Sequence, residues 1–180
     1  MFPMIYVALL RGINVGGKNK MAMPRLKRTF EEVGLADVTT YINSGNVIFT
    51  DSRRQPATII SALEKAIEQD FGFQIKVLIR DLAAIRKTIN ALPDNWTNDN
   101  SMKCDVMFLW DNFDRKDILD DLKIKPDIED VVYVPGAIIW RVDRPNVTRS
   151  GMMKLVGTEL YKGMTIRNCN TVRKLAELMT

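Results

Sequence analysis

Tyr41-Ile42-Asn43-Ser44-Gly45-Asn46-Val47-Ile48-Phe49 reads as the tight turn and returning strand of a β-hairpin. Asn and Gly tolerate the positive φ that such turns demand, and Val-Ile-Phe is the apolar run of a buried strand. Much further on, Tyr133-Val134-Pro135-Gly136-Ala137-Ile138-Ile139-Trp140 has the same grammar: an aromatic residue, a glycine turn, then an apolar strand closing on an aromatic. Two such hairpins in 180 residues point to two similarly built halves.

The segments around the hairpins agree. Phe2 to Leu10 reads as a buried strand, followed by a glycine-rich loop. Met23, Leu26, Phe30 and Val33 share a face at helical spacing, with Pro24 suited to a first turn. Val38–Asn43 and Asn46–Thr50 form the first hairpin. Ile60, Leu63, Ile67 and Phe71 make a second helix from Pro56 to Gly72. Phe73 to Arg80 alternates as a strand, and Asp81 is placed to cap a helix running to Leu92. The order then repeats: strand Cys104–Trp110, helix Asp114–Lys123, hairpin strands Val131–Val134 and Ala137–Val142, helix Ser150–Tyr161, strand Met164–Arg167 and helix Thr171–Met179. The expectation is an α+β fold of two tandem ferredoxin-like βαββαβ units related by duplication. Residues 1–92 form the first with a trailing helix, 93–102 a linker, and 103–180 the second with its C-terminal helix.

Composition narrows the chemistry. There is no histidine, which removes Ser-His-Asp and Cys-His catalysis and the commonest metal ligand. Cys104 and Cys169 make neither a disulfide framework nor a zinc site, so no metal or other cofactor is expected, and a reducing cytoplasm fits best. The opening apolar run is too short to span a membrane and lacks the basic flank of a signal peptide, so no membrane partner is expected. Charge is uneven along the chain. Arg11 to Arg28 carries six basic residues and no acid, Asp94 to Asp130 eleven acids against five bases, and Val131 onward eight bases against three acids.

Candidate site residues lie in three polar segments. The first loop, Arg11-Gly12-Ile13-Asn14-Val15-Gly16-Gly17-Lys18-Asn19-Lys20, matches the first seven positions of the phosphate-binding loop at Gly12, Gly17 and Lys18. It fails at the eighth, where Asn19 replaces the magnesium-binding hydroxyl, and a hairpin follows where a parallel sheet is required. An ATPase of that kind is rejected. A looser anion-binding loop remains, with Gly16 and Gly17 offering backbone N–H groups and Arg11, Lys18 and Lys20 offering charge. Against it stands a plain flexible connection with solvated lysines. Asn43, Ser44 and Asn46 are turn formers that could also orient a ligand. Arg167, on an otherwise apolar strand, needs an acidic or carbonyl partner, and Asn168 stands beside it.

Three stretches resemble the bacterial family known as domain of unknown function 1697 (DUF1697). They are Ala8-Leu9-Leu10-Arg11-Gly12-Ile13-Asn14-Val15-Gly16-Gly17-Lys18-Asn19-Lys20-Met21, the hairpin Tyr41 to Phe49, and Met164-Thr165-Ile166-Arg167-Asn168-Cys169-Asn170-Thr171-Val172. The family tends to carry tryptophan where this chain has Cys169. The resemblance implies ferredoxin-like units and marks the same three polar segments, but supplies no activity and no catalytic residue. The expectation is a binding module, or an enzyme of modest specificity, for an anionic ligand (a phosphorylated metabolite, nucleotide or nucleic acid) between the first loop, the first hairpin turn and the Arg167 segment; an enzyme without histidine chemistry is an alternative. The rival is a protein-interaction module without a small-molecule site.

Overall fold

The computed structural model describes residues 3–180, so the first residue of the expected opening strand, Phe2, lies outside the described residues. The chain divides into two compact units, one running to Ala83 and including Glu177–Thr180, the other spanning Ala84–Ala176.

The first unit contains β1 (Met4–Leu10), α1 (Met23–Glu32), β2 (Ala36–Tyr41), β3 (Asn46–Asp51), α2 (Pro56–Phe71) and β4 (Val77–Asp81). The strands form an antiparallel sheet in the order β2-β3-β1-β4. Val7 of β1 faces Ile48 on one side and Arg80 on the other. Period-2 alternation sends Tyr6, Ala8, Leu10, Val47, Phe49, Val77 and Ile79 to one face, where they pack with Leu26, Phe30, Ile59, Leu63 and Ile67 of the two helices. Val7 and Leu9, on the alternate positions, are equally buried, which is why β1 reads as an unbroken apolar run. Arg25 bridges to Asp70, whose carboxylate also takes the buried Thr29 hydroxyl at 2.5 Å, tying α1 to α2. That hydroxyl and the guanidinium hold Asp70 below the usual carboxylate range, against the opposing pull of desolvation.

The second sheet repeats the pattern. β5 (Met102–Leu109), β6 (Glu129–Val134), β7 (Ala137–Asp143) and β8 (Met164–Asn168) run antiparallel in the order β6-β7-β5-β8. Val106 faces Ile139 and Arg167, matching the placement of Val7 between Ile48 and Arg80. Around the sheet lie α3 (Leu82–Ala91), α4 (Glu159–Lys162) and α5 (Cys169–Leu178).

The helices expected between these strands are the main correction. In place of Asp114–Lys123 there is a 3-10 helix over Lys116–Asp121, in which only Ile118 is buried. Asp114 stays outside it because its carboxylate accepts from Tyr133 Oη and Gly136 N, both at 2.9 Å, and so braces the second hairpin turn. The helix expected over Ser150–Tyr161 is a 3-10 turn at Gly151–Lys154 and the single α-turn α4, preceded by a 3-10 helix over Arg144–Arg149. Two local caps cut this stretch up: Ser150 Oγ accepts from Met152 N and Thr158 Oγ1 from Tyr161 N. A smaller difference is that β4 begins at Val77, not Phe73; Asp81 closes β4 and directly precedes α3, which begins at Leu82. The final helix starts at Cys169, and its cap is Asn168, whose Oδ1 accepts from Thr171 N at 2.9 Å.

Candidate functional site

The first loop is a miniature hairpin. Val15 and Lys18 pair across Gly16 and Gly17, whose φ values of 58° and 77° give the turn. Lys18 N donates to Val15 O at 3.0 Å and Asn14 N to Asn19 O at 3.1 Å. Asn19, also at positive φ, returns its side-chain amide to Gly12 O at 3.0 Å. Two backbone N–H groups of the loop, those of Asn14 and Lys18, are thus spent within it, in keeping with the rejection of an ATPase motif. Those of Gly16 and Gly17 remain at its exposed tip.

Below the tip, two residues fasten the loop to the first hairpin. Ile13 is 1% exposed and inserts into the core. Gly45 makes room for it: at φ +80°, a Cβ there would stand 2.8 Å from Ile13 Cδ1 and 2.9 Å from Leu10 Cβ. Asn14 donates from Nδ2 to Met21 O at 3.0 Å and to Asn43 O at 2.9 Å, while its Oδ1 accepts from Met21 N at 2.8 Å. Asn46 is fully buried and donates to Tyr41 O and to Ser44 Oγ, closing the turn. Arg11 is half-buried, and its N–H donates to Lys76 O. Gly12, Ser44 and Asn46 are therefore structural members of a clasp.

Between the clasp and α1 is a shallow hollow of about 380 Å³ lined by Asn14, Gly17, Lys20, Met21, Ala22, Met23 and Asn43. The start of α1 opens onto it. Ala22 supplies no side-chain cap, but its carbonyl accepts from Arg25 N at 3.1 Å and Leu26 N at 3.0 Å, and Pro24 has no N–H, so the Met23 N–H and the positive end of the helix dipole are what the start of α1 offers. Lys18 and Lys20 are exposed and form no ion pair among the described residues. The structure thus brings together Asn14, Gly17, Lys20 and Asn43 of the expected residues, and adds the uncapped helix start, which Pro24 had signalled only as a helix boundary.

Arg167 and Asn168 lie in the second unit. Arg167 is 7% exposed on β8, with Nη1 donating to Thr165 Oγ1 at 3.0 Å and to Ile166 O at 2.8 Å. Burial pulls its guanidinium down to about 10, so it stays charged at neutral pH. Asn168 is the α5 cap described above. A buried carboxylate of this unit with four donors is one that sequence reading passed over. Glu129, 3% exposed, accepts from Lys125 N at 2.7 Å, Gly151 N at 2.9 Å, Trp140 Nε1 at 2.9 Å and the Ser150 hydroxyl. Burial pushes its carboxyl up, but the hydrogen bonds, that from Ser150 foremost, outweigh it and hold the group below the usual range. No periodicity signals such a residue; the one hint is an acid opening a strand otherwise bound for the core.

Among the described residues no group of three or more His, Cys, Asp or Glu side chains is placed to hold a metal ion, and no helix is long and apolar enough to cross a membrane.

Two four-stranded antiparallel sheets with helices, in two tandem units, define a mixed α+β protein with a loop-borne polar site. The chain belongs to the family described as "Protein of unknown function (DUF1697)", whose family model matches residues 4–140. Among solved structures it is similar to the conserved bacterial protein SP0830 from Streptococcus pneumoniae. The two are 28% identical with a TM-score of 0.84, over 99% of this chain and 100% of that one. A comparison with curated proteins finds no match. None of these relationships establishes a function.

Proposed function

We propose that the first unit binds a phosphate-bearing ligand in the hollow between the Arg11–Lys20 loop and the start of α1. The observation that carries this reading is the uncapped N-terminus of α1 opening onto a hollow that also holds Lys20, Asn14 and Asn43. Here the helix start offers the Met23 N–H and a positive dipole end to an anion. Lys18 and Lys20 add charge no neighbouring acid neutralises, and Asn43 offers an amide at the rim. The clasp of Ile13, Asn14 and Gly45 holds this arrangement rigid, which lowers the ordering cost of binding.

The strand orders and the matching arginine positions on β4 and β8 support two ferredoxin-like units related by duplication. A cytoplasmic setting suits two free thiols. A second reading draws on Val15, 67% exposed at the loop tip, which suits a protein contact better than a phosphate.

A thermal-shift panel of nucleotides, sugar phosphates and short oligonucleotides separates the readings. A ligand at about 100 times its Kd adds about 2.7 kcal/mol. The expected result is stabilisation by a phosphorylated compound, lost in Lys20→Ala. If the ligand is an oligonucleotide, its affinity falls steeply with salt. No shift across the panel favours the protein-contact reading instead.

A further inference from the structure

Cys104 and Cys169 are the chain's two cysteines, both free and both buried in the second unit. The β5–β8 ladder pairs Val106 with Arg167 and Asp105 with Asn168. One further step along it sets Cys104 opposite Cys169, the first residue of α5. This register puts the two buried thiols on facing positions of adjoining elements. Arg173, one turn along α5, places Nη1 3.7 Å from Cys169 Sγ. The same guanidinium holds Trp96 O at 2.7 Å and Pro93 O at 2.9 Å, and Cys169 Sγ itself lies 3.6 Å from Trp96 O. Asn170 Nδ2 adds a bond to Asn98 O. The thiol pair therefore sits where the segment 93–98 is fastened to α5.

We propose that Cys104 and Cys169 are a site of reversible oxidation, with Cys169 the attacking sulfur, Cys104 the resolving thiol, and a small hydroperoxide the oxidant. The roles follow from the surroundings. The hydrogen bond from the Cys104 thiol favours a thiolate on Cys169 against the cost of burial, and the Arg173 charge adds to it. Cys104 is pushed the opposite way by the same hydrogen bond and by burial, with the Asp105 carboxylate adding to the effect. Asp105 also opposes the Cys169 thiolate, but its carboxylate is occupied by Lys103 at 2.9 Å.

The reaction balances with no other reactant. The Cys169 thiolate attacks one oxygen of hydrogen peroxide, the O–O bond breaks, and the hydroxide that leaves takes up the proton Cys169 had released, giving a sulfenic acid and water. The Cys104 sulfur then displaces the sulfenic hydroxyl, its proton leaves with that hydroxyl as water, and the S–S bond forms. Two electrons pass from the two sulfurs to the peroxide, yielding a disulfide and two waters. Because both sulfurs are buried, the oxidant enters only when the 93–98 fastening opens. Oxidation also ends the Cys169 contact with Trp96 O as a donor, so the disulfide state holds that segment less firmly.

The test uses the full chain treated with hydrogen peroxide, quenched with an alkylating agent under denaturing conditions, and read by mass spectrometry without reductant. The expected product has lost two hydrogens, links the Cys104 and Cys169 peptides, and reverts with dithiothreitol. Cys104→Ser, checked by circular dichroism for folding, is expected to accumulate a dimedone-reactive sulfenic acid on Cys169, whereas Cys169→Ser forms none on Cys104. If both thiols stay alkylatable in the native protein at peroxide doses that oxidise them after unfolding, they are inert core residues and the proposal is overturned. Sulfenic acid on Cys104 in the Cys169→Ser variant, formed as fast as on Cys169, overturns the assignment of roles.

Discussion

Replacing Glu129 by glutamine keeps the shape of the buried clasp and removes only its charge and one acceptor. In the native protein Oε1 receives Lys125 N and Gly151 N, and Oε2 receives Trp140 Nε1 and the Ser150 hydroxyl. A glutamine amide must turn its NH2 toward one of these donor pairs. If it faces Ser150, the hydroxyl can reorient, but the Trp140 N–H is stranded; if it faces the backbone pair, two N–H groups are stranded. A buried unpaired donor costs about 1–3 kcal/mol, and lost bonds to a charged acceptor about 1.5–3 kcal/mol each. Allowing for relaxation, Glu129→Gln is expected to cost about 3 kcal/mol. Glu129→Ala, which orphans all four donors, should cost about 4 kcal/mol. Urea denaturation followed by tryptophan fluorescence is the assay, because Trp96, Trp110 and Trp140 all lie in the second unit and report on it alone. pH gives a second handle. The folded carboxyl titrates below its ordinary 4.5, so its contribution is complete above that value and fades as pH falls through the lower folded value. The glutamine variant lacks this component of the acid dependence. A cost for Glu129→Gln below about 0.5 kcal/mol, the scale of ordinary surface changes, would refute the Glu129 hydrogen-bond cluster as an organising centre.

Gly45→Ala combines a left-handed backbone with a collision against Ile13 and Leu10, so it should cost about 3 kcal/mol in urea denaturation. Gly16→Ala meets no atom within 4 Å and should cost only about 1 kcal/mol; equal losses at the two positions contradict the clasp. Asn168→Ala removes the α5 cap and should cost about 1 kcal/mol by the same method, with amide exchange quickening at Thr171.

The hairpins were the most legible part of the sequence, because Asn-Ser-Gly-Asn and Pro-Gly constrain the backbone locally and the flanking runs alternate cleanly. α1 and α2 were legible for a related reason: Met23-Leu26-Phe30 and Ile60-Leu63-Ile67 fit one helical face, and Gly72 stops α2 in the left-handed conformation. The second unit's connections were not. Asp114-to-Lys123 has helix-compatible composition, yet Ile118 is its one buried side chain, and Asp114 is drawn off to a turn twenty residues away in sequence. Ser150 to Tyr161 failed because Ser150 and Thr158 each restart the chain through local side-chain bonds. At the candidate site, the sequence marked the right loop but not the division of labour within it. Gly12, Asn14, Ser44 and Asn46 bond within the clasp, an outcome set by contacts across some thirty residues that spacing does not encode. Glu129 was invisible for the same reason.

The measurement that bears most directly on the loop of the first unit as an anion site is an amide chemical-shift titration with pyrophosphate and with a nucleoside triphosphate. Saturable shifts at Gly16, Gly17, Lys20 and Met23, abolished in Lys20→Ala while the remaining spectrum is unchanged, are the predicted result. Shifts spread evenly over the basic surface, or none at these four amides, would contradict it.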